Sequence, residues 1–595
     1  MKKPWSISTT VRNPERLRDF LKALKKLEGQ DFNKDNQIKY QILLIQEKLY
    51  KPLDIPQKFR KYYDNPEFHI PYKEAEEIFY AQDYEDPPMR GRQSVNPLNK
   101  LGFSIAREGI GPIRITNLGN RFLSGEYDIG FIFFKSLLKL QFPNPWSEEF
   151  SKKEGFNIMP FVATLRLIYN LNKKTNNRGL EKTEFGVFVP TLIDINQLDL
   201  HIEKILQFRN EKNKEKFIHH FAKEFYEIKK IPEKKLHNLF DYGDNIMRYF
   251  RLTRYFKVTM DPLGYYWRVD LEPSRIVEIE QLLKMYNGKA VEFKDITDYL
   301  RYLSNISQPE LPWEKVENLK MIATSLKNIV FDLIKTENIK VSQKEQEILS
   351  IDTGSLAKEQ LQNYIANVRK INLELKERLN KVKMTGDIQK IKGIVKTLKD
   401  VKQLKKYEPE QFEKLITEAL KIINDEIVIK PNYPVDDDGE PINHSPGNKP
   451  DVECHYQTFK AICEVTLNTS KLQWVQEGQP IMRHLREFEV QHRDEEIFCL
   501  FIAPQIHNDT YSQFWISVKY EYNGLSQKII PMTSVQFAVL LETLLELVKH
   551  GKRLTHRELY DLYNHIVSET KKLGSFSDWA NRIPNILENW QQRMF

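Results

Sequence analysis

Cysteine is nearly absent: the 595 residues contain three, Cys454, Cys463 and Cys499, all in the last third. None forms a C-x-x-C pair. A disulfide framework or a cysteine zinc site is therefore not expected, and buried small apolar side chains in a reducing compartment are. Long apolar runs are missing too. No stretch approaches the roughly 20 residues of a membrane span, and residues 1–5 lead into no signal-peptide core. A cytoplasmic protein without membrane association is expected. Nor does one sign of charge dominate. The 90 basic and 82 acidic residues leave a net +8, which is compatible with a polyanionic partner without demanding one. Lys and Arg crowd the first 420 residues, whereas acids gather at 408–413 and 436–440.

The length excludes a single core and predicts three or more domains. Pro14 opens a helix with Leu17, Phe20, Leu21 and Leu24 as its apolar stripe. Ahead of it, Arg12 follows Thr9 and Thr10 in an arm that either reaches a DNA groove and clamps phosphate or is a solvated tail. Residues 73–82 read as a helix. Residues 89–93, with Gly91 between Arg90 and Arg92, read as a basic loop. Residues 102–116 alternate around Gly109 and Gly111 as a hairpin carrying Arg107 and Arg114. A hairpin after helices resembles the wing of a winged helix, which leans on the DNA backbone. Helices are expected over 131–141, 158–171, 200–208 (running out at Arg209) and 212–223.

A second helix-and-hairpin unit spans 241–271. Arg248, Arg251 and Arg254 are three apart, on one broad helix face. Strands at 257–260 and 265–271 flank a turn at 261–264. Arginines interleaved with Tyr and Phe suit a phosphate-tracking surface; the alternative is an ordinary charged face over an aromatic core. From 290 to 405 nearly all residues are helix formers. Leu361, Ile365, Val368, Ile371, Leu375, Leu379 and Val382 recur near heptad spacing, which reads as a helical linker, with a dimerising coil as the alternative.

The C-terminal part orders its elements α-β-β-α-β-α-β-α, predicting a mixed sheet flanked by helices. The expected elements are a helix from 412 led by Glu413, strands at 451–456 and 459–466, and a helix at 471–489. A buried strand at 496–504, a helix at 510–519, a short strand at 528–532 and an apolar helix at 534–549 follow. Asp451 comes directly after Pro450. Glu464 lies thirteen residues on, after an apolar run, and Glu477 thirteen further. Acids at the ends of adjacent strands can hold a hard divalent cation. Such a cation beside a phosphodiester activates water and stabilises the leaving oxygen. Acid spacing of this kind is common by chance; the Pro-Asp step and the strand-embedded Glu464-Val465-Thr466 give it weight, and point to a metal-dependent nuclease.

This frame resembles the PD-(D/E)xK nuclease superfamily, with Thr466 where a lysine is usual. Gly447 to Asp451, Glu464-Val465-Thr466, Glu477 and Arg483-His484 together resemble the AlwI family of type IIS restriction endonucleases, which includes strand-specific nicking enzymes. Trp5, Arg12 to Pro14, Gly102-Phe103, 113–116, Gln207 to Arg209, 248–253 and 498–504 extend the resemblance over most of the chain. It implies a multidomain α+β protein. A DNA-recognition region would span 1–288, in two winged-helix-like subdomains of about 1–150 and 151–288. A helical linker at 289–405 and a nuclease domain at 406–595 would follow, with Mg²⁺ as cofactor.

By position, Asp451, Glu464 and Glu477 match the catalytic, metal-holding acids, and Glu413 a further acid at the edge. Arg483 or His484 meets the scissile phosphate, His484 otherwise being a helix-face residue bonded to the sheet. The resemblance implies binding of a short asymmetric double-stranded site and cleavage at a fixed distance outside it, one strand per active site, in a bacterial cytoplasm. Double-strand cleavage then needs a second protomer or a small partner subunit, and a cognate DNA methyltransferase belongs to the same system. Arg12, Arg90, Arg92, Arg107, Arg114, Arg209, Arg248, Arg251, Arg254 and Arg483 are the candidate DNA contacts, reading guanine or holding phosphate. The rival readings are a repair or transposition endonuclease on the same fold and a non-catalytic winged-helix regulator.

Overall fold

The computed structural model describes the chain except residues 1, 9–10, 12–13, 65–67, 126, 145–149, 176–178, 261–266, 387, 424–427, 437–439, 448, 494 and 551–553. Two compact units form, one from residues 1–63, 68–261 and 265–371, the other centred on 372–595. Among the described residues no helix is long and apolar enough to cross a membrane.

The N-terminal stretch is built into the first unit. Trp5 is buried, and its indole N–H donates to the carbonyls of Val189 and Leu192 at 3.0 and 3.2 Å. The Val11 carbonyl accepts from Asn245 and Tyr249. Arg12 itself lies outside the described residues. Helix Leu17–Lys25 buries the expected Leu17, Phe20, Leu21 and Leu24, and helices Lys34–Gln46 and Tyr72–Tyr80 follow.

Residues 89–93, expected as a loop, are instead the opening turns of helix Pro87–Lys100. Two local features start it. The Asp86 carboxylate caps the Met89 N–H, and proline occupies the first turn, where no N–H is needed. Gly91, which suggested a loop, is a packing glycine. A Cβ there would stand 2.0 Å from the Gln37 carbonyl oxygen, so the helix crosses Lys34–Gln46 at backbone contact.

Strands β1 (Ser104–Ile105) and β2 (Arg114–Ile115) pair antiparallel, as the alternation predicts, and Asp31 bridges to Pro112 beside them. Strands β3 (Leu180–Glu181), β4 (Phe256–Met260) and β5 (Trp267–Leu271) form an antiparallel sheet ordered β3-β5-β4. The predicted turn at 261–264 lies outside the described residues. Helix Glu233–Arg251 stops before Arg254, which takes φ +61° and pairs with Asp128 at 2.8 and 3.0 Å. The three arginines therefore do not share one helix face.

Residues 289–405 contribute to both cores. Tyr299, Leu300 and Leu303 pack with Ile105, whereas Ile391, Ile394 and Leu398 join the core of the second unit. Leu361, Ile365, Val368, Ile371 and Leu375, on helix Lys358–Gly386, are buried within the single chain.

In the second unit, helix Pro409–Ile423 precedes five strands: β6 (Val428–Pro431), β7 (Val452–His455), β8 (Lys460–Val465), β9 (Ile497–Ala503) and β10 (Ile529–Thr533). Their order is β10-β9-β8-β7-β6. Strands β8, β9 and β10 run parallel, joined by crossover helices Gln479–Gln491 and Asn508–Lys519, while β8-β7-β6 is an antiparallel meander. The mixed sheet agrees with the element order read from the sequence. Strand β9 is buried at all seven positions, as a central parallel strand covered on both faces must be. Strand β6 escaped sequence reading because it is short, largely exposed and ends in proline. Those are properties of an edge strand.

Candidate active site

The β7–β8 register assembles the acids. Val452 pairs with Cys463, so Asp451 stands opposite Glu464 where the two strands leave their ladder. Asp451 is held by its backbone and side chain. Its carbonyl accepts from the Asn432 N–H at 2.9 Å, and its Oδ2 accepts from the Val465 N–H at 2.7 Å. The Asn432 side chain also donates to the Pro450 carbonyl. Glu464 is 5% exposed, and Nδ1 of His484 lies 2.9 Å from its Oε1. Burial, with Arg483 nearby, holds His484 below the usual histidine range. At neutral pH the ring is thus neutral, and its Nδ1 holds the carboxyl group of Glu464 in one orientation. Its Nε2 is buried without a hydrogen bond of ordinary geometry.

Glu477 arrives from the next element, which is more irregular than the expected helix. A π turn, Trp474–Gly478, precedes helix Gln479–Gln491. Pro480 lacks the N–H that would return to the Gln476 carbonyl, and the backbone widens there. Thr466 donates its hydroxyl to Glu477 Oε1 at 3.4 Å. Glu413, on helix Pro409–Ile423, is 5% exposed and accepts from the Ser445 N–H and hydroxyl at 3.0 and 3.1 Å.

The structure thus brings Asp451, Glu464, Glu477, Glu413 and His484 together, and among the described residues no lysine or arginine pairs with the four acids. Their carboxyl groups are all held above the ordinary range. Burial is the first cause throughout. For Asp451 the charges of Glu464 and Glu477 add, for Glu464 those of Glu477 and Glu413, and for Glu413 that of Asp451. Glu413 is pushed up to about 9. The three cysteines are free and buried, and burial raises the thiols of Cys463 and Cys499.

Sequence reasoning missed His444 and Ser445, in the loop before Asp451. Ser445 anchors Glu413, and His444 is the cationisable group whose charge favours the ionised forms of Glu413 and Glu477. No spacing rule marks such a loop, because its partners are 32 and 33 residues away in the chain.

Among the described residues no three His, Cys, Asp or Glu side chains are grouped so that they could hold a metal by themselves. Mg²⁺ takes one or two carboxylates and keeps several waters. Hard oxygen donors, buried and mutually repelling without a counter-charge, fit such an ion at Asp451 and Glu464.

The Glu413 shift predicts a pH dependence. The folded chain holds this proton up to about 9, while the unfolded chain releases it in the ordinary carboxylate range. In between, the folded state binds more protons, so stability falls as pH rises. With divalent ions chelated, Glu413→Gln should therefore raise Tm at pH 8, by about 2–4 °C per kcal/mol of relieved cost of holding that proton, and leave it nearly unchanged at pH 4. A thermal melt series across pH checks this.

The candidate DNA contacts are dispersed. Arg90 stacks over Tyr84, 4.6 Å from the ring centroid. Arg92 pairs with Asp86, and Arg107 lines a cavity. Arg114 is exposed on β2 and Arg251 is buried. Arg209 binds the fully buried Glu184 through two N–H groups at 2.7 and 2.8 Å, and Arg248 binds Asp244. Arg254 pairs with Asp128, and Arg483 is exposed on its helix, 4.0 Å from Glu487.

The family model for AlwI restriction endonucleases matches residues 99–540, well over half the chain. Among solved structures, the chain is similar to the small subunit of the heterodimeric restriction endonuclease R.BspD6I, at 22% identity over 33% of this chain and 98% of that one, TM-score 0.28. It is also similar to restriction endonuclease FokI, at 10% identity over 95% and 99%, TM-score 0.23, and to FokI bound to DNA, at 11% over 94% and 99%, TM-score 0.20. No curated protein matches.

Proposed function

Because the chain belongs to the AlwI restriction endonuclease family, we propose that it is a type IIS restriction endonuclease. It binds a short asymmetric double-stranded DNA site and hydrolyses a phosphodiester bond at a fixed distance outside it, one strand per active site. The observation that carries this reading is the buried carboxylate cluster at the β7–β8 strand ends, in a unit separate from the basic helices and hairpins of the first. Residues 1–288 form the recognition region, 289–405 the linker and 406–595 the nuclease domain. Support for a winged-helix-like unit comes from element order. Helix Leu17–Lys25, the Asp31 bridge, helix Lys34–Gln46, helix Pro87–Lys100 and the β1–β2 hairpin follow that plan, with residues 47–86 inserted.

Asp451 and Glu464 would hold Mg²⁺. When bound, the ion polarises the phosphate and lowers the pKa of water. His484 Nδ1–H keeps Glu464 in one orientation, as a group behind a metal ligand does. Glu477 takes the part of the missing lysine. With Oε1 occupied by the Thr466 hydroxyl, its other oxygen accepts the proton of the attacking water, and burial, which raises its pKa, makes it a stronger base than an exposed carboxylate. Arg483, exposed on the same helix, contacts the scissile phosphate. Double-strand cleavage then requires a second protomer or a small partner subunit, and a methyltransferase of the same specificity protects the host.

Plasmid incubated with Mg²⁺ and analysed by run-off sequencing tests this. Breaks should fall at a constant offset on one side of a single asymmetric sequence. Supercoiled DNA left intact across divalent metals would refute the enzyme. Breaks without a fixed offset would favour a repair or transposition nuclease. Binding should also weaken steeply with salt, with a slope near −0.9 per phosphate contacted, as an order-of-magnitude guide.

A further inference from the structure

The first unit contains a cleft of about 350 Å³ between helix Pro87–Lys100 and the start of the β1–β2 loop. Its polar lining is Gln37, Arg92, Asn96, Arg107 and Glu108, with Asn99 at its base. The cleft is rigidly built. The Gly91 crossing brings Gln37 against the helix. Gln37 Nε2 donates to the Phe32 carbonyl at 2.9 Å, which turns Oε1 towards Arg92 Nη1, also at 2.9 Å. Arg92 Nη2 donates to Asp86 at 2.7 Å. Asn99 donates to the Ala106 carbonyl and accepts from the Ala106 N–H and the Ser104 hydroxyl, locking the residue before Arg107 to the helix.

Arg92 is thus braced from two sides while its side chain stays 43% exposed. Two of its five N–H groups are used, and the rest of the fork is presented to solvent. Asn96 lies one turn further on the same face, at i+4.

The chemistry of the lining separates two roles. A phosphate cradle gathers cations and excludes carboxylates. Here Glu108 lines the cleft and Asp86 grips Arg92 from beside it, so an anion entering would meet negative charge. Arginine, amide and carboxylate together present mixed donors and acceptors, the set that matches base edges in a major groove. Arginine matches guanine O6 and N7, asparagine adenine N6 and N7, and glutamate cytosine N4. Resting on the DNA-cleaving reading above, we propose that this cleft determines sequence specificity. Arg92 reads a guanine bidentately, Asn96 reads an adjacent base pair, and Asp86 and Gln37 act as positioning residues for Arg92.

Run-off sequencing on a randomised duplex library tests this, using wild type, Arg92→Ala, Arg92→Lys and Asn96→Ala. Thermal melts accompany each variant. Arg92→Ala should lower cleavage of the wild-type site by about 10–100-fold and relax one base pair of it. Its salt slope should stay unchanged. Arg92→Lys, which keeps the charge but loses the fork, should not restore that base pair. Asn96→Ala should relax a neighbouring pair, and it serves if Arg92→Ala melts early. The proposal is overturned if Arg92→Ala weakens all sequences alike and flattens the salt slope by about one phosphate contact, or if Arg92 and Asn96 variants keep the wild-type profile. A wild type that cuts nothing would instead refute the nuclease. A wild type with a defined site that is indifferent to both substitutions refutes only the cleft.

Discussion

Glu464→Gln is expected to abolish DNA cleavage while leaving DNA binding and the fold intact. Glu464 is one of two carboxylates facing each other across the β7–β8 strand ends, and no described lysine or arginine could take over its charge. Losing a hard ligand removes several kcal/mol of transition-state charge stabilisation. At 1.36 kcal/mol per decade that is about 10³-fold or more in rate. Glutamine keeps the volume and can still accept from His484. Replacing one of several crowded buried charges by an amide also relieves repulsion, so the chelated variant should melt no lower than wild type. Single-turnover cleavage of a labelled duplex, band shifts at matched salt and thermal melts together make the test. A variant that cuts at more than about a tenth of the wild-type rate, one decade, would contradict the assignment of Glu464.

Gly478→Ala should cost about 10²-fold in cleavage rate, although position 478 touches neither proposed metal ligand. Its backbone is ordinary right-handed helix, φ −61° and ψ −49°, so conformation does not demand glycine. Space does: a Cβ would lie 1.8 Å from Trp474 Cε3 and 2.1 Å from Cζ3. Trp474 packs edge-on against Phe514. The added methyl must therefore reshape the π turn that carries Glu477. An ångström of misplacement in a reacting group is worth about two decades, and the overpacking costs about 1–3 kcal/mol of stability. Trp474→Leu in the Gly478→Ala background removes the clash and should recover much of the rate. The expected signature is a fall in single-turnover rate at unchanged DNA affinity. Full activity in Gly478→Ala, or no recovery in the double variant, would show that the π turn does not aim Glu477.

The strand ends that carry Asp451 and Glu464 were legible in the chain because strand propensity and the Pro450-Asp451 step are local. Alternation marked β7 and β8, and an apolar run marked β9. Of the three evenly spaced acids, Asp451 falls just ahead of β7, Glu464 on β8 and Glu477 on the π turn that follows. The same locality misled at residues 89–93. Glycine between arginines reads as a loop, yet Asp86 caps a helix and Gly91 is needed for the Gln37 crossing. Arg254 misled for the opposite reason: an i+3 spacing continued past a helix end that Asp128 helps to fix.

By itself, then, the sequence determined the family, through the resemblance of its motifs, and the mixed sheet of the second unit, whose longer strands and helices follow from periods of two and 3.6 residues. Only tertiary structure decided which groups meet. The pairing of Val452 with Cys463 sets Asp451 against Glu464, a π turn lowers Glu477 onto Thr466, and Ser445 reaches back 32 residues to Glu413. It also turned Arg209 and Arg251 inward and left Arg92 braced at an open cleft. Register, crossing distance and burial are set by the close packing of residues far apart in the chain, and no local pattern carries them.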